Sequence, residues 1–268
     1  MKNVWLLLVP AFLFFNCHKE EEPELESETQ FAFSEPVQQE QEVLVTLVTR
    51  TECGACGEWG HPTFDAKVNN NANVNGLALH FRENDPMANE DATAWVDLVG
   101  WSATPSFGVG LTSQGPSESD WNNAVDNAQN EPLIAAIGIQ GQGRHSEMEI
   151  DLSIQFYQDF ASPMAIALYM VEDNFEAEQQ DYSATPSTVQ GYVHNQILRA
   201  NVTNVWGNNL GNDFSNEEII TKTFTFNTDP VDRLENMKLV AVLFETDAQG
   251  NPVRVVNSKT AETKILSM

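Results

Sequence analysis

The strongest constraint on the fold is a Cys-x-x-Cys pair that follows directly on an apolar run. The run "EVLVTLVTR" (42–50) is rich in β-branched residues and leucine, which is typical of a strand buried on both faces of a parallel sheet. Gly54 and Ala55, between the two cysteines, are small enough to let the chain turn tightly into a helix. Cys53 would then lie at a helix N-terminus, where the macrodipole stabilises a thiolate and makes it nucleophilic.

The next eighty residues, to about 130, alternate strand and helix patterns around a Thr-Pro step. The predicted elements are a strand "GLALHFR" (76–82), a helix "NEDATAWVDLVG" (89–100) and a helix "SESDWNNAVDNAQN" (117–130) capped by Ser117 or Ser119. The order strand, Cys-x-x-Cys, helix, strand, helix, Thr-Pro, strand, helix resembles the thioredoxin fold. The resemblance implies a cis peptide bond before Pro105 and a loop packed against the dithiol.

After residue 130 the pattern changes to strands without intervening helices. Segments such as "PLIAAIGIQGQ" and "PMAIALYMVED" carry alternating or continuous apolar runs, and Gly, Asn, Asp and Pro separate them. This predicts an antiparallel β-sandwich of immunoglobulin-like layout over 131–268. The predicted fold class is therefore α/β plus all-β, with a thioredoxin-like domain over 42–130 before the sandwich.

The N-terminus has the pattern of an export signal. Lys2 precedes an apolar run of twelve residues, 4–15, and a membrane-spanning helix needs about 20. We interpret 1–16 as a lipoprotein signal peptide, because Cys17 stands where the lipidated cysteine of a lipobox is found. Residues 17–41 are rich in Glu, Gln, Ser and Pro and are predicted to be an acidic disordered linker. Their "HKEEEPELESE" resembles the surface-export signal of Bacteroidetes lipoproteins.

Charge and motif content exclude several functional classes. The formal net charge is −26, from 39 acidic and 13 basic residues, and it repels phosphate backbones, so no nucleic-acid partner is expected. The chain has no Gly-x-Gly-x-x-Gly, phosphate-loop or Gly-x-Ser-x-Gly motif. No cofactor is predicted.

The cysteine pair admits three interpretations: a redox centre, a structural disulfide or a metal clasp. Zinc needs four ligands and the pair supplies two, with His61 and His80 as the nearby imidazoles, so no metal site is predicted. His194 is interpreted by itself as a packed histidine. If Cys17 is lipidated, Cys53 and Cys56 are left to pair, and export favours their oxidation. Both the redox and the structural interpretation of this disulfide remain open, although so short a loop adds little stability.

The part of the chain with the Cys-x-x-Cys pair and the Thr-Pro step is one of three parts that together resemble a known family, and two further segments are the others. They are "YVHNQILRA" (192–200) and "MKLVAVLFETDAQGNPVRVVNSKTAE" (237–262). Together these parts resemble the twenty-eight-kilodalton outer-membrane protein family of Bacteroidetes over residues 43 to 262. The resemblance implies an exported lipoprotein with a thioredoxin-like domain joined to a β-sandwich. It implies an outer-membrane location, with a lipid anchor and exposure at the cell surface.

Two functional hypotheses follow from the sequence. The first is a binding or interaction module on a thioredoxin-like scaffold, held to the membrane by its lipid anchor at Cys17 and contacting a protein partner. The alternative is an extracytoplasmic thiol-disulfide oxidoreductase. In that case Cys53 attacks, Cys56 resolves the mixed disulfide and Pro105 helps to hold the substrate.

Overall fold

The computed structural model describes residues 29–101, 103–144 and 147–266. The predicted signal peptide and the lipidation site Cys17 lie outside these residues. The three helices are α1 His61–Asn69, α2 Glu90–Val99 and α3 Glu118–Gln129; a π-helical turn, Cys56–Gly60, leads into α1, and a 3-10 turn spans Leu234–Asn236. The strands are β1 Gln30–Glu35, β2 Val43–Thr49, β3 Val74–His80, β4 Ser106–Val109, β5 Thr112–Gly115, β6 Ala135–Arg144, β7 Glu147–Phe156, β8 Met164–Glu172, β9 Phe175–Gln180, β10 Thr188–His194, β11 Ile197–Asn201, β12 Asn208–Gly211, β13 Ile219–Phe226, β14 Met237–Thr246, β15 Pro252–Glu262 and β16 Lys264–Leu266.

One large mixed sheet runs through most of the molecule, in the order β15-β14-β8-β11-β3-β2-β4-β5, with β12 also paired to β8. Strands β2 and β3 are parallel, as their continuous apolar sequences predict, and every residue of both is buried. Strand β11 joins β3 through the parallel pair Ile197 and Ala78 and continues antiparallel onto β8. The second half of the chain thus extends the sheet that the first half begins.

Each face of the large sheet is covered by a different layer. Alternate residues of β8 divide between the faces, because side chains of a strand point in opposite directions. Leu168 faces a five-stranded antiparallel sheet, β13-β7-β6-β1-β16, while Tyr169 packs with Trp95 of α2 on the other face. At the β2 end, α1 and α3 cover the face opposite α2, with Phe64 and Trp121 packed on the apolar side chains of β2.

This architecture is mostly β, with helices on a mixed sheet and a second sheet packed face to face on part of it. It agrees with the predicted combination of an α/β part and a β-sandwich. Of the two caps predicted for the third helix, Ser117 and Ser119, the structure has Ser117, whose hydroxyl accepts from the Asp120 amide at 3.3 Å. Within the described residues, no helix combines the length and the apolar character needed to cross a membrane.

Two boundaries differ from the predicted ones. Residues Gln30–Glu35, assigned to the disordered linker 17–41, form β1 and pair with β6. The reason is an alternating "FAF" pattern, since Phe31 and Phe33 are 6% and 2% exposed in the core between the two sheets. The predicted boundary between 130 and 131 does not separate two sheets, because strands from both sides of it lie in the same large sheet.

Candidate functional site

The cysteine pair lies where β2 ends and the first helical residues begin. Cys53 and Cys56 form a disulfide with 5.1 Å between their Cα atoms, which confirms the predicted pairing. The amide of Cys56 donates to the Cys53 carbonyl at 3.0 Å and lies 3.1 Å from Cys53 Sγ. Cys53 is 6% exposed and Cys56 is fully buried, so the disulfide lies below the surface.

Pro105 lies against the turn that follows the disulfide. Its peptide bond with Thr104 is cis, as the sequence predicts. A side chain at Gly60 would come within 2.9 Å of the Pro105 Cβ, so the absence of one lets the proline ring approach the π-helical turn closely. The structure therefore brings the three predicted redox residues, Cys53, Cys56 and Pro105, into one region.

A two-stranded hairpin, β9 and β10, lies across the Cys-x-x-Cys segment. The amide of Gln180 donates to the Thr51 carbonyl at 2.8 Å, and the amide of Tyr182 donates to the Gly54 carbonyl at 3.2 Å. Gln179 Nε2 donates to the Cys53 carbonyl at 3.0 Å. The hairpin is thereby attached to both ends of the turn that carries the disulfide.

Glycine at two positions lets this hairpin approach. A Cβ at Gly54 would overlap the ring of Tyr182, and a Cβ at Gly57 would overlap the carbonyl oxygen of Gln180. Gly54 also stands in the motif between the cysteines, where the sequence analysis assigned it a role in the turn. The structure adds a second reason for it, which is close packing of a distant segment.

Three histidines from separate elements meet in the interior beside this region. His61 is the first residue of α1, His80 the last of β3 and His194 the last of β10. They are 1%, 0% and 0% exposed. One ring nitrogen from each lies within 4.8 Å of the other two, and the ring centroids are 5.2–5.9 Å apart. Tyr192 completes the aromatic group, with its ring centroid 4.9 Å from that of His194.

The hydrogen bonds of the cluster orient two of its rings. His80 Nδ1 lies 2.8 Å from Asp85 Oδ2, and because an ionised carboxylate accepts only, His80 carries its proton on Nδ1. His61 Nε2 lies 3.0 Å from the hydroxyl of Thr49. Burial acts to raise the pKa of Asp85, but hydrogen bonds from His80 and from two backbone amides hold it below its usual value.

The remaining ring nitrogens of the cluster are unsatisfied within the described residues. These are His61 Nδ1, His80 Nε2 and one nitrogen of His194; the backbone of Glu178 makes a hydrogen-bond contact with the His194 ring. Burial, reinforced by the neighbouring imidazoles, lowers the pKa of His61 far below its usual value and that of His194 to about 3. Both rings are therefore neutral at pH 7, with lone pairs available to a ligand.

Sequence reasoning considered these histidines separately and missed the cluster. His61 and His80 were weighed as partners of the cysteines, and His194 was interpreted as a packed residue. The structure does place His194 in the interior, but beside the other two. The order of the elements contained a signal for part of this cluster. A helix that begins after the Cys-x-x-Cys turn and a parallel strand that ends beside it place their residues at the same edge of the sheet.

The comparisons identify a family and a similar fold. The family model described as "Outer membrane protein Omp28" matches residues 109–264. No curated protein matches the chain. Among solved structures, HBP35 of Porphyromonas gingivalis is similar with a TM-score of 0.64 and 13% identity, covering 84% of this chain and 76% of that one. At this identity the likeness shows the fold alone.

Two further structures match with TM-scores below 0.5. A protein of Agrobacterium tumefaciens is 17% identical over 83% of this chain and 95% of that one, with a TM-score of 0.46. A domain of the outer membrane lipoprotein Omp28 from Porphyromonas gingivalis is 13% identical over 49% of this chain and 89% of that one, with a TM-score of 0.31.

Proposed function

Because the chain belongs to the Omp28 outer-membrane protein family, whose model matches more than half of it, we propose that it is a lipoprotein acting as a binding module on a thioredoxin-like scaffold. It is anchored through Cys17 and faces the outside of the cell. The lipobox-like position of Cys17 and the acidic segment after it support the anchor and its orientation. The partner is a protein, contacted by the part of the chain that stands away from the membrane.

The thioredoxin-like assignment is supported by the arrangement of elements around the disulfide. Strand β2 leads through the Cys-x-x-Cys turn into α1, then β3 and α2 follow, and the cis Pro105 precedes β4. Helices lie on both faces of this part of the sheet. The five-stranded sheet packed on the other half supports an immunoglobulin-like sandwich in layout.

The single observation that carries the binding role is the hairpin seated on the disulfide. A redox-active dithiol needs an accessible sulfur for the attack on a substrate disulfide. Here the Gln180 and Tyr182 amides donate to the carbonyls of Thr51 and Gly54, and Cys53, the cysteine that would attack, is only 6% exposed. The covered pair favours a scaffold over a catalyst. Tyr182 is itself 72% exposed and offers an amphipathic contact residue above the covered site.

The alternative, a thiol-disulfide oxidoreductase, rests on Cys53 preceding the helix and on Pro105 beside it. In the reduced protein the Cys53 thiolate would attack one sulfur of a substrate disulfide, breaking its S–S bond, forming a mixed disulfide and releasing the other sulfur as a thiolate. The Cys56 thiolate would then displace the substrate thiolate and restore the Cys53–Cys56 bond. A reducing partner protein must then return two electrons to the pair before each new cycle.

Resistance of the folded protein to reduction separates these two functions. We expect dithiothreitol to reduce the native full chain at least about tenfold more slowly than the urea-unfolded chain, since the hairpin must open first. Maleimide labelling of quenched samples measures the rate. Cys53→Ser should leave insulin reduction unchanged, because a covered pair contributes none. Rapid reduction of the native protein together with insulin-reducing activity that Cys53→Ser abolishes would establish the enzyme instead.

The anchor is tested independently of the disulfide. Metabolic labelling with an alkyne fatty acid is expected to mark the wild-type protein and not Cys17→Ser, whereas Cys53→Ser, the matched control, should stay labelled. Protease added to whole cells should digest the labelled protein if it faces outward. Equal labelling of Cys17→Ser would refute the anchor, and digestion only after the outer membrane is permeabilised would refute the surface location.

A further inference from the structure

We propose that His61, His80 and His194 form a buried site for one borderline transition-metal cation of the Zn²⁺ class. The site is independent of the binding role proposed above. It uses residues that neither the disulfide nor the hairpin contacts employ. Its parts come from α1, β3 and β10, so a bound ion would join the hairpin strand to the large sheet.

Convergence of the three donors is the first support. Zinc bonds to histidine at about 2.0–2.1 Å in tetrahedral sites, which places ligand nitrogens about 3.3 Å apart. In this structure one nitrogen from each ring lies within 4.8 Å of the others. Binding an ion therefore requires the ring nitrogens to approach one another by up to about 1.5 Å. Because the three rings project from three different elements, their convergence does not follow from local sequence spacing.

The unsatisfied nitrogens are the second support. Buried polar atoms in proteins are nearly always hydrogen-bonded, because each one left without a partner costs free energy after losing its contacts with water. At least three ring nitrogens of this cluster, His61 Nδ1, His80 Nε2 and one of the two on His194, have no hydrogen bond within the described residues, although the rings are buried. A cation bonded to one nitrogen of each ring removes most of this cost. Enclosed water could do so only with two to four polar partners for each molecule.

The outer hydrogen bonds form the third support. Metal-bound histidines usually donate their other N–H to a carboxylate or other acceptor, which fixes the tautomer and the ring orientation. His80 has this arrangement with Asp85, at 2.8 Å. His61 is held on its Nε2 side by Thr49 at 3.0 Å. The other nitrogen of each ring, Nε2 of His80 and Nδ1 of His61, makes no hydrogen bond within the described residues and is therefore free to bind an ion.

The donor set selects the class of ion. Imidazole nitrogen suits Zn²⁺ and its transition-metal neighbours, whereas Ca²⁺ and Mg²⁺ require oxygen ligands. Three protein ligands leave one position for water, as in open zinc sites. Asp85 contributes a negative charge through His80, and the net charge of −26 attracts cations to the protein.

Metal loading of the full chain tests the site directly. The detergent-solubilised, oxidised protein is stripped with a chelator, incubated with ZnCl₂, desalted and analysed for zinc by mass spectrometry. We expect one equivalent of zinc and a higher melting temperature. CoCl₂ in place of ZnCl₂ should give the intense visible absorption of tetrahedral Co²⁺. Because the cysteines are paired in this preparation, they provide no thiolate to the ion.

Three variants decide whether the histidines hold the ion. His61→Gln and His194→Gln should each weaken zinc binding at least about 100-fold, and Asp85→Asn about 10–100-fold, the range measured for outer partners of metal ligands. Tyr192→Phe is the matched control, because it keeps an aromatic ring beside His194 and removes no nitrogen. Circular dichroism of the metal-free forms checks folding, and whichever of the two histidine variants retains the wild-type spectrum is used. Wild-type protein that binds no zinc, or zinc and cobalt binding unchanged in the histidine variants, would overturn the proposal.

Discussion

Replacing Lys259 by methionine is expected to lower the free energy of unfolding by about 3–5 kcal/mol at pH 7, the range for breaking a buried ion pair from one side. Lys259 lies in β15, and its Nζ is 2.6 Å from Oε1 of Glu42, the residue before β2. Their side chains are 9% and 6% exposed. The methionine would fill a similar space but would leave the Glu42 carboxylate buried without its cation.

A polar network around this pair makes the loss hard to relieve. Asn75 Nδ2 donates to Glu42 Oε2 at 3.1 Å and to Ser258 Oγ at 2.9 Å. The Asn257 side chain accepts from the Glu42 amide at 2.9 Å. These contacts hold β15 to the start of β2 and to β3. The network thus joins the last strands of the chain to the first part of the large sheet.

The cost of this substitution depends on pH. Burial raises the pKa of Glu42 even with Lys259 present, and removal of the lysine raises it further. A carboxyl with a raised pKa in the folded state binds a proton more readily there than in the unfolded chain, so acidification favours folding of the variant. The deficit is therefore largest at neutral and higher pH and shrinks as the pH falls through the raised pKa.

Urea unfolding of wild type, Lys259→Met and Glu42→Gln/Lys259→Met at pH 5 and pH 7.5 measures this effect. The double variant should recover most of the stability, because a neutral amide replaces the unpaired charge and still accepts from Asn75. Lys238→Met is a comparison at a partly exposed ion pair, with Asp173 at 2.6 Å. A deficit for Lys259→Met that is the same at both pH values would show that packing, and not charge, determines it.

The sequence predicted the elements around the disulfide because local rules govern them. Continuous apolar residues place β2 and β3 in the interior, and the Cys-x-x-Cys turn with its small residues starts the helical segment. The cis bond at Pro105 followed from the resemblance to a known order of elements. The first two inferences depend only on neighbouring residues, so one sequence is sufficient for them, whereas the cis bond needed the comparison with a known fold.

The pairing of distant strands could not be predicted from local sequence patterns. An alternating or continuous apolar pattern shows which faces of a strand are buried, but not which strand lies beside it. Strand β11 carries the sheet from β3 to β8 through a register that no local pattern encodes. The predicted division after residue 130 therefore separated strands that share one sheet. The same limit concealed the histidine cluster, since His194 meets His61 only after β9 and β10 fold over the turn.

Placing a methyl group at Gly57 is expected to accelerate reduction of the native disulfide about tenfold or more. Alanine in a helix is usually more favourable than glycine, by about 0.5–1 kcal/mol. At Gly57 the new Cβ would overlap the carbonyl oxygen of Gln180 and lie 3.0 Å from Asp181 Cβ. Backbone in this position cannot rotate away as a side chain can, so the hairpin must shift. An overlap of this kind costs about 1–3 kcal/mol, and each 1.4 kcal/mol changes the open population about tenfold.

Gly54→Ala provides the matched control within the same turn. Its Cβ would also overlap a neighbour, but that neighbour is the Tyr182 ring, which is 72% exposed and free to swing outward. The Tyr182 amide can keep its bond to the Gly54 carbonyl, so reduction should stay near the wild-type rate. Hydrogen exchange of the Gln180 and Tyr182 amides, which donate to the carbonyls of Thr51 and Gly54, should accelerate in Gly57→Ala alone. If Gly57→Ala folds with unchanged hydrogen exchange and an unchanged reduction rate, the hairpin does not protect the disulfide. The main argument against a redox role would then fail.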